Sequence, residues 1–487
     1  MSLSRRALLI GGVSSFATSI CADAPLTSLR PVARALSENG VERFIDRAGL
    51  AGKVGFVAAD LATGQIVEAV SPDLPQPPAS VTKAFTALYG LETLGSDFQF
   101  ETRLIAAGDV QDGVLDGDLI LAGGGDPNLV TDDLAALAQS LKAAGLREVK
   151  GDFLVWDDAL INLDEIDPAQ ADYLGYNPTV TGLNLNFNRV HFEWKRTGEA
   201  FTTAMDARSE NHRPAVTVSR MQIVDRASPV FTYRDNGDVD DWTVAKSALN
   251  NAGSRWLPVR HPALYCGEVF ASFARSQGIV LKPAKEIAVL PDGPVLAVHR
   301  GLPLTGLMRA MLRFSTNLTA EATGLKATAV AADQNRGLRT SALSMARWAA
   351  ARASGIAPDF VDHSGLGDAS RVTAADMTRF LMADGVKGAL QPIMKDIPLV
   401  NAQREVIQNS AVSIRAKTGT LNFVSSLAGY MRTSSGRDLA FAYFAADLEA
   451  RAEGKLHGSE NPPGARSWNT KARSLQQRIL QHWALRA

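Results

Sequence analysis

Cysteine and histidine are scarce in this sequence. Only two of its 487 residues are cysteines and only seven are histidines. So few thiols exclude a disulfide-rich scaffold, and scattered imidazoles argue against a structural zinc site. Neither a phosphate-binding P-loop motif nor an HExxH zinc motif occurs in the chain. We therefore expect neither a metal nor a cofactor.

An excess of charge of one sign is also missing. Lys and Arg number 50 against 51 Asp and Glu, which gives a net charge of -1. Without a basic excess there is no electrostatic argument for a nucleic-acid partner, and we expect none. No stretch beyond the N-terminal residues is long and apolar enough to cross a bilayer, so no transmembrane segment is predicted in the mature chain. The composition is that of a globular protein with at least two structural units.

Residues 1–24 have the layout of an export signal peptide. The pair Arg5-Arg6 precedes a weakly apolar run, residues 7–20, and the small-residue pattern Ala22-Asp23-Ala24. The twin-arginine route is the predicted one, and a Sec-type signal is the alternative. Cleavage after Ala24 would release a periplasmic protein with Cys266 as its only cysteine.

The periodicity of the remaining chain predicts an α/β (α+β) fold. Residues 54–70 alternate as in an antiparallel hairpin, and residues 79–94 and 304–312 have helical spacing. Near the C-terminus three strands and a closing helix are predicted, at residues 412–421, 426–432, 439–446 and 469–486. These elements predict an antiparallel sheet flanked by helices.

Residues 98–262 differ in sequence pattern from the rest of the chain. They consist of short β-like runs separated by turns, and the polar stretches 206–213 and 234–241 are interpreted as loops. We interpret residues 98–262 as one or more β-rich accessory domains. They would be inserted into a single domain formed by residues 25–97 and 263–487.

A serine and a lysine lie three residues apart in the motif Ser80-Val81-Thr82-Lys83, the only SxxK in the sequence. On a helix this spacing places both side chains on one face, within hydrogen-bonding reach. A serine hydroxyl becomes a nucleophile when a base takes its proton, and an apolar surrounding favours the neutral amine that can do so. By itself the motif is common.

Two later motifs offer further polar groups. Ser315-Thr316-Asn317 follows the helix predicted over 304–312, and its hydroxyl and amide could relay a proton and hold a carbonyl, or simply cap a helix. Lys417-Thr418-Gly419 lies in the strand predicted over 412–421, with Lys417 facing away from the apolar side chains. There it could bind a substrate carboxylate, or it could be an ordinary solvated edge. Gly419 would let a ligand backbone approach, and the amide of Thr420 could then face an oxyanion.

Taken in order, the three motifs resemble those of the penicillin-recognising serine enzymes. The long first gap is similar to that of the class C low-molecular-mass penicillin-binding proteins, which are D-alanyl-D-alanine carboxypeptidases and endopeptidases with domains inserted at this point. Further stretches look similar to that family, at residues 117–129, 181–188, 315–321, 363–367 and 371–373. The resemblance implies a DD-peptidase/β-lactamase-like fold.

The resemblance also implies a role for each motif residue. Ser80 would form an acyl-enzyme with a peptidoglycan stem peptide, with Lys83 as the base. Ser315 and Asn317 would complete the proton path, and Lys417 and Thr418 would bind the terminal carboxylate. The oxyanion hole would be formed by the amides of Ser80 and Thr420, and β-lactam inhibitors would acylate Ser80. Asp157 could contact the stem peptide as an inserted-domain acid does in some relatives, or could be a plain surface residue.

Two other functions remain open at this stage. A serine β-lactamase would share the acylation residues but needs a water-activating group, and no residue can be assigned to that role from the sequence. A non-catalytic cell-wall-binding protein is the second alternative, against which the complete set of motifs argues. Adjacent Asp362, His363 and Ser364 cannot form a catalytic triad among themselves, and no GxSxG motif occurs.

Overall fold

A computed structural model describes residues 40–332, 337–401, 403–408, 410–456 and 460–486. The predicted export signal, residues 1–24, lies outside these residues. The α-helices in this part of the chain are α1 Glu42–Ala48, α2 Thr82–Leu94, α3 Thr131–Ala143, α4 Pro262–Ser276, α5 Leu304–Phe314, α6 Asn317–Ala332, α7 Leu338–Arg352, α8 Ala374–Met382, α9 Val386–Leu390, α10 Leu448–Leu456 and α11 Ala465–Arg486.

The strands of the described residues form four sheets. They are β1 Lys53–Asp60, β2 Ile66–Val70, β3 Glu101–Gln111, β4 Val114–Gly123, β5 Glu148–Val149, β6 Phe153–Trp156, β7 Arg189–Thr197, β8 Ala200–Asp206, β9 Ser219–Val224, β10 Phe231–Asp235, β11 Asp240–Ala245, β12 Ala252–Pro258, β13 Ala284–Glu286, β14 Val295–Arg300, β15 Lys395–Asp396, β16 Ser413–Leu421, β17 Val424–Arg432 and β18 Asp438–Ala446.

The main sheet joins the two ends of the described chain. Its strand order is β15-β16-β17-β18-β1-β2, and all of its pairings are antiparallel. The hairpin predicted over 54–70 and the three C-terminal strands are confirmed as β1–β2 and β16–β18. The predicted helices over 304–312 and 469–486 are confirmed as α5 and α11.

Helices cover both faces of the main sheet. Phe441 and Tyr443 of β18 pack into the core beneath α11, while Ala442 and Phe444 pack into the core that contains Phe85 of α2. Successive side chains of a strand point to opposite faces, and a strand buried on both faces needs an unbroken apolar run. The unbroken apolar run of β18 is therefore typical of a strand in the middle of the sheet. In β16 the side chains also alternate, so Lys417 and Ala416 point to opposite faces.

A second sheet forms the core of the inserted region. Its order is β13-β6-β4-β3-β14, with β5 paired to β4, and two three-stranded sheets, β12-β7-β8 and β10-β11-β9, accompany it. Helix α4 packs against this sheet, with Phe270 5.7 Å from Phe153 between ring centroids. Because β13 and β14 belong to the sheet although they follow residue 262, we propose that the inserted accessory region extends to Arg300.

One expectation within the insertion is wrong. The stretch 234–241 is expected to be a loop, but residues 234–235 and 240–241 belong to the antiparallel pair β10–β11, and only residues 236–239 form the turn between them. Arg234 and Asp241 lie opposite each other and form an ion pair of 2.9 Å, and the rings of Tyr233 and Trp242 lie 4.9 Å apart. Polar residues that pair across strands are compatible with a hairpin, which polarity along the sequence does not reveal. The stretch 206–213 begins at the end of β8 and is a loop beyond it, as expected.

Candidate active site

Ser80 and Lys83 lie at the start of helix α2, on the side that faces β16. The helix predicted over 79–94 begins with a 3-10 turn, Ala79–Val81, and α2 continues from Thr82. Ala79 has a left-handed backbone with φ of 47°, a conformation that non-glycine residues adopt at a cost. The spacing of three residues works as predicted: Nζ of Lys83 lies 3.0 Å from Oγ of Ser80.

The amine of Lys83 is completely buried and has three polar neighbours. Besides Ser80, its Nζ lies 2.7 Å from Oδ1 of Asn317 and 2.7 Å from the backbone oxygen of Ser364. Burial lowers the pKa of Lys83 to about 8, although the carboxyl groups of Asp362 and Glu321 partly oppose this shift. A lysine with this pKa is partly neutral near physiological pH, as a base must be.

Ser315 and Asn317 lie at a break between two helices. Helix α5 ends at Phe314, Ser315 adopts a left-handed conformation with φ of 62°, and α6 begins at Asn317. The break brings Asn317 to Lys83, while Ser315 Oγ accepts a hydrogen bond of 2.9 Å from Nζ of Lys417. Asn317 Nδ2 also donates to the backbone oxygen of Tyr176 in the inserted region, at 2.8 Å. Ser315 thus caps α5 with its backbone, as in the helix-cap alternative. Its side chain, however, contacts Lys417.

Lys417 lies on β16 and faces away from Ile414 and Ala416, as the alternation predicts. It is nevertheless 1% exposed, because Ser315 and the segment Pro78–Ala79 lie over this face of β16. Burial lowers the pKa of Lys417 well below its ordinary value, and the positive charges of Lys83 and Lys395 lower it further. The solvated-edge alternative is therefore wrong for Lys417.

Gly419 has a different neighbour from the one expected. A Cβ atom at this position would lie 2.7 Å from the backbone oxygen of Pro78, and 3.1 Å from the Cβ atoms of Ala79 and Ser426. The space above Gly419 is thus filled by the segment that carries Ser80, rather than kept open for a ligand backbone. Of the two threonines beside it, Thr418 is half-buried and Thr420 is exposed.

A cleft of about 390 Å³ connects these motifs. Ser80, Ser315 and Asn317 line it together with Thr420, the residue after Lys417-Thr418-Gly419, so the three motifs meet at one opening. Further residues, none of which was proposed as a site residue from the sequence, complete the wall: Gln170 and Tyr176 of the inserted region, Gly365, Leu366, Leu421, Asn422, Arg451, Glu460, Asn461 and Asn469. Most of them lie far in sequence from the three motifs, so no local spacing could have marked them as part of the site.

Asp157 does not belong to the residues that line this cleft. Its carboxylate accepts a hydrogen bond from Asn162, and burial raises its pKa.

A second cavity of about 400 Å³ lies between α11 and the segment around Asn401, and none of the motif residues lines it.

Beneath the cleft lies a buried acidic group that the sequence analysis missed. Glu321, on α6, accepts hydrogen bonds from His363 and Ser364, and Asp362 accepts from the backbone amides of Gly365 and Gly367, both at 2.6 Å. Burial and the charge of Glu321 raise the pKa of Asp362 to about 7. The sequence signal was available only in part, since Glu321 follows Asn317 by one helical turn.

Two general features of the described residues concern metals and membranes. Within residues 40–486, apart from the gaps given above, no cluster of three or more His, Cys, Asp or Glu side chains could hold a metal ion. In the same part of the chain no helix has the length and hydropathy needed to cross a membrane.

Comparisons with known proteins agree on one family. Residues 38–458 match the family model described as D-Ala-D-Ala carboxypeptidase 3 (S13) family. The chain is 27% identical over 446 residues to the D-alanyl-D-alanine carboxypeptidase of Actinomadura sp. (strain R39), covering 82% of this chain and 79% of that protein. It is 26% identical over 434 residues to the D-alanyl-D-alanine carboxypeptidase DacB of Haemophilus influenzae, covering 82% and 88%.

The fold is also shared with a solved structure. The crystal structure of penicillin binding protein 4 (dacB) from Haemophilus influenzae matches with a TM-score of 0.71 at 22% identity, over 90% of this chain and 99% of that one. A second structure of that protein, complexed with a β-lactam, matches with a TM-score of 0.69. The predicted fold class and the resemblance to low-molecular-mass penicillin-binding proteins are confirmed. Because the family model matches most of its length, the chain belongs to the D-Ala-D-Ala carboxypeptidase 3 (S13) family.

Proposed function

We propose that this serine-type D-Ala-D-Ala carboxypeptidase cleaves peptidoglycan stem peptides through an acyl-enzyme on Ser80. The family assignment gives the reaction, and the contacts around Ser80 support the residue roles. One observation carries the proposal: Lys83 bonds both Ser80 and Asn317, while Lys417 bonds Ser315, at the floor of one cleft. Three elements distant in sequence thus bring together a nucleophile, a base and a relay.

Acylation begins with removal of the proton of Ser80. Lys83 in its neutral form takes this proton, and Ser80 Oγ attacks the carbonyl carbon of the penultimate D-alanine. The backbone amides of Ser80 and Thr420 donate to the developing oxyanion. The bond to the terminal D-alanine then breaks, and the leaving amine receives a proton from the Lys83 ammonium by way of Ser315. Water attacks the ester in turn, and the shortened peptide leaves while Ser80 regains its proton.

The strand β16 binds the other end of the substrate. Lys417 donates to Ser315 and Thr418 follows it on β16, so a substrate whose scissile carbonyl meets Ser80 would place its terminal carboxylate near this strand. A cation and a hydroxyl suit a carboxylate. A β-lactam presents a similar carboxylate beside a strained amide, so it would acylate Ser80 and remain bound. Cleavage of the equivalent bond in cross-linked stem peptides would be an endopeptidase activity of the same site.

The site of action follows from the substrate. Peptidoglycan lies outside the cytoplasm, so we propose that residues 1–24 direct export to the periplasm by the twin-arginine route. The inserted region would contribute to peptide binding through Gln170 and Tyr176, which line the cleft.

Release of D-alanine tests the proposed function. Wild-type protein should release it from an N-acetylated peptide that ends in D-alanyl-D-alanine and should leave the L-alanyl-L-alanine peptide intact. Ser80→Ala should release D-alanine at least about 1,000-fold more slowly than the wild type, because it lacks the nucleophile. Ser344→Ala is the matched control, since this half-buried serine donates its side-chain hydrogen bond to the backbone oxygen of Thr340 on its own helix. Full activity of Ser80→Ala would refute the assignment of Ser80, and an inactive wild type would refute the carboxypeptidase.

A further inference from the structure

The amine of Lys83 has neighbours that determine its orientation. Asn317 Oδ1 and the backbone oxygen of Ser364 can only accept hydrogen bonds, and both lie 2.7 Å from Nζ. A neutral amine has two N–H groups and one lone pair. When its two N–H groups point to these oxygens, its lone pair is left for the third neighbour, the hydroxyl of Ser80 at 3.0 Å. The carbonyl of Ser364 therefore helps to aim the base at the nucleophile.

Glu321 holds this carbonyl in place. We propose that Glu321 is a positioning residue, which fixes the Ser364 backbone so that Lys83 directs its lone pair at Ser80. This inference rests on the proposed role of Ser80 and adds a residue that acts without touching the substrate.

The contacts of Glu321 are those of a fixed clamp. One carboxylate oxygen accepts from the backbone amide of Ser364 at 2.9 Å. The other accepts from the backbone amide of His363 at 3.0 Å and from its Nδ1 at 2.8 Å. The same residue, Ser364, thus gives its N–H to Glu321 and its C=O to Lys83. Since α6 carries both Asn317 and Glu321, one helix controls both acceptors of the amine.

The surrounding loop has little freedom to compensate for a lost clamp. Thr86 donates to the backbone oxygen of His363 at 2.5 Å, and Ser341 contacts Nε2 of the same residue at 3.0 Å. Gly365 has φ of 73° and packs against the backbone of Ala79, next to Ser80. A shift of Ser364 would therefore be transmitted both to Lys83 and to the turn that carries Ser80.

Glu321 also acts on Lys83 through its charge. Burial raises the pKa of Glu321, but its hydrogen bonds with His363 and Ser364 outweigh this effect and lower the pKa overall. The carboxylate is therefore ionised. The charged groups that face Lys83 are Asp362 and Glu321, which raise its pKa, and the like-charged Lys417. Removing the charge of Glu321 without changing its shape should therefore lower the pKa of Lys83.

Two substitutions separate position from charge. Glu321→Gln keeps the shape but replaces one acceptor oxygen by a donor, so it should both misalign Lys83 and lower its pKa. Glu321→Asp keeps the charge but is one methylene shorter, so it should misalign Lys83 with its pKa nearly unchanged. The matched control is Asp60→Asn, because Asp60 is also buried and accepts from two backbone amides, those of Ala62 and Thr63, on the remote β1–β2 turn.

The measurement is the second-order rate constant for acylation by a fluorescent penicillin between pH 6 and pH 10. We expect the plateau rate of Glu321→Gln to fall by about 10- to 100-fold, the cost of a small misplacement of a catalytic group. Its pH midpoint should be lower than that of the wild type, while Glu321→Asp should lose rate at an unchanged midpoint. Asp60→Asn should keep both values.

Several outcomes would overturn the inference. Wild-type plateau rates in both Glu321 variants would show that the clamp does not aim Lys83. If Glu321→Gln is acylated more slowly but its pH midpoint equals that of the wild type, the loss of rate would result from altered packing alone. If Glu321→Gln does not fold, Glu321→Asp decides the question by its plateau rate. Failure of the proposed function is distinguishable, because the penicillin would then label Ser80→Ala as well as the wild type, whatever Glu321 does.

Discussion

The contact between Gly419 and the Ser80 segment yields the most specific prediction. In Gly419→Ala the new methyl group would lie 2.7 Å from the backbone oxygen of Pro78 and 3.1 Å from two Cβ atoms. Backbone cannot rotate out of the way as a flexible side chain can, so β16 and the turn Ala79–Val81 must move apart by several tenths of an ångström. Overpacking of this kind costs about 1–3 kcal/mol of stability.

The same displacement should reduce the rate of acylation. Ser80 belongs to the turn that would move, whereas Lys417 belongs to the strand, so the two halves of the site would separate. A misplacement approaching 1 Å costs about 100-fold in rate, and a smaller one proportionally less, so we expect a loss of about 10- to 100-fold. Thermal melting and the kinetics of labelling with a fluorescent penicillin measure the two effects.

A matched glycine provides the control. Gly306 lies within α5, and a Cβ atom there would meet nothing within 4 Å. Gly306→Ala should therefore raise stability by about 0.5–1 kcal/mol and leave acylation unchanged. The reasoning is refuted if Gly419→Ala melts and acylates like the wild type. If it melts like the wild type but binds the D-alanyl-D-alanine peptide more weakly, the space serves the substrate, as the sequence alone suggested.

Two further predictions concern the lysines. Acylation of the wild type should accelerate by roughly 100-fold between pH 6 and pH 9, because raising the pH through the Lys83 pKa of about 8 converts the ammonium into the neutral base; stopped-flow rates that stay flat over this interval would exclude Lys83 as the base. Lys417→Met should raise KM for the D-alanyl-D-alanine peptide by at least about 10-fold through loss of the carboxylate partner. It should melt no lower than the wild type, because burial of the Lys417 cation is itself unfavourable; an unchanged KM in steady-state assays would contradict the proposed carboxylate site.

The sequence predicted the elements whose patterns are local. Helix α5 and strands β16 to β18 appear within a few residues of their expected bounds, since amphipathic spacing and apolar alternation are read within a short window. The spacing of Ser80 and Lys83 likewise requires only one turn of helix. The order of the three motifs then supplied the resemblance that the family match confirms.

The sequence could not predict contacts between distant segments. Glu321, Asp362 and Tyr176 carry no motif of their own, and their relation to Lys83 and Asn317 exists only after folding. The burial of Lys417 depends on Ser315 and on the segment Pro78–Ala79, which lie over this face of β16 and which alternation along one strand does not reveal. For the same reason the sequence could not predict the contact between Gly419 and the Ser80 segment, because that segment precedes it by hundreds of residues.

The central claim is that Ser80 is the residue acylated, and intact-protein mass spectrometry tests it most directly. The mature chain and its Ser80→Ala variant are incubated with a β-lactam, and their masses are followed over time. The account predicts a stable adduct of one drug molecule on the wild type and none on the variant. An adduct of equal size on both proteins, or no adduct with the drug left intact, would contradict it. Rapid hydrolysis of the drug through a transient adduct would instead identify a β-lactamase.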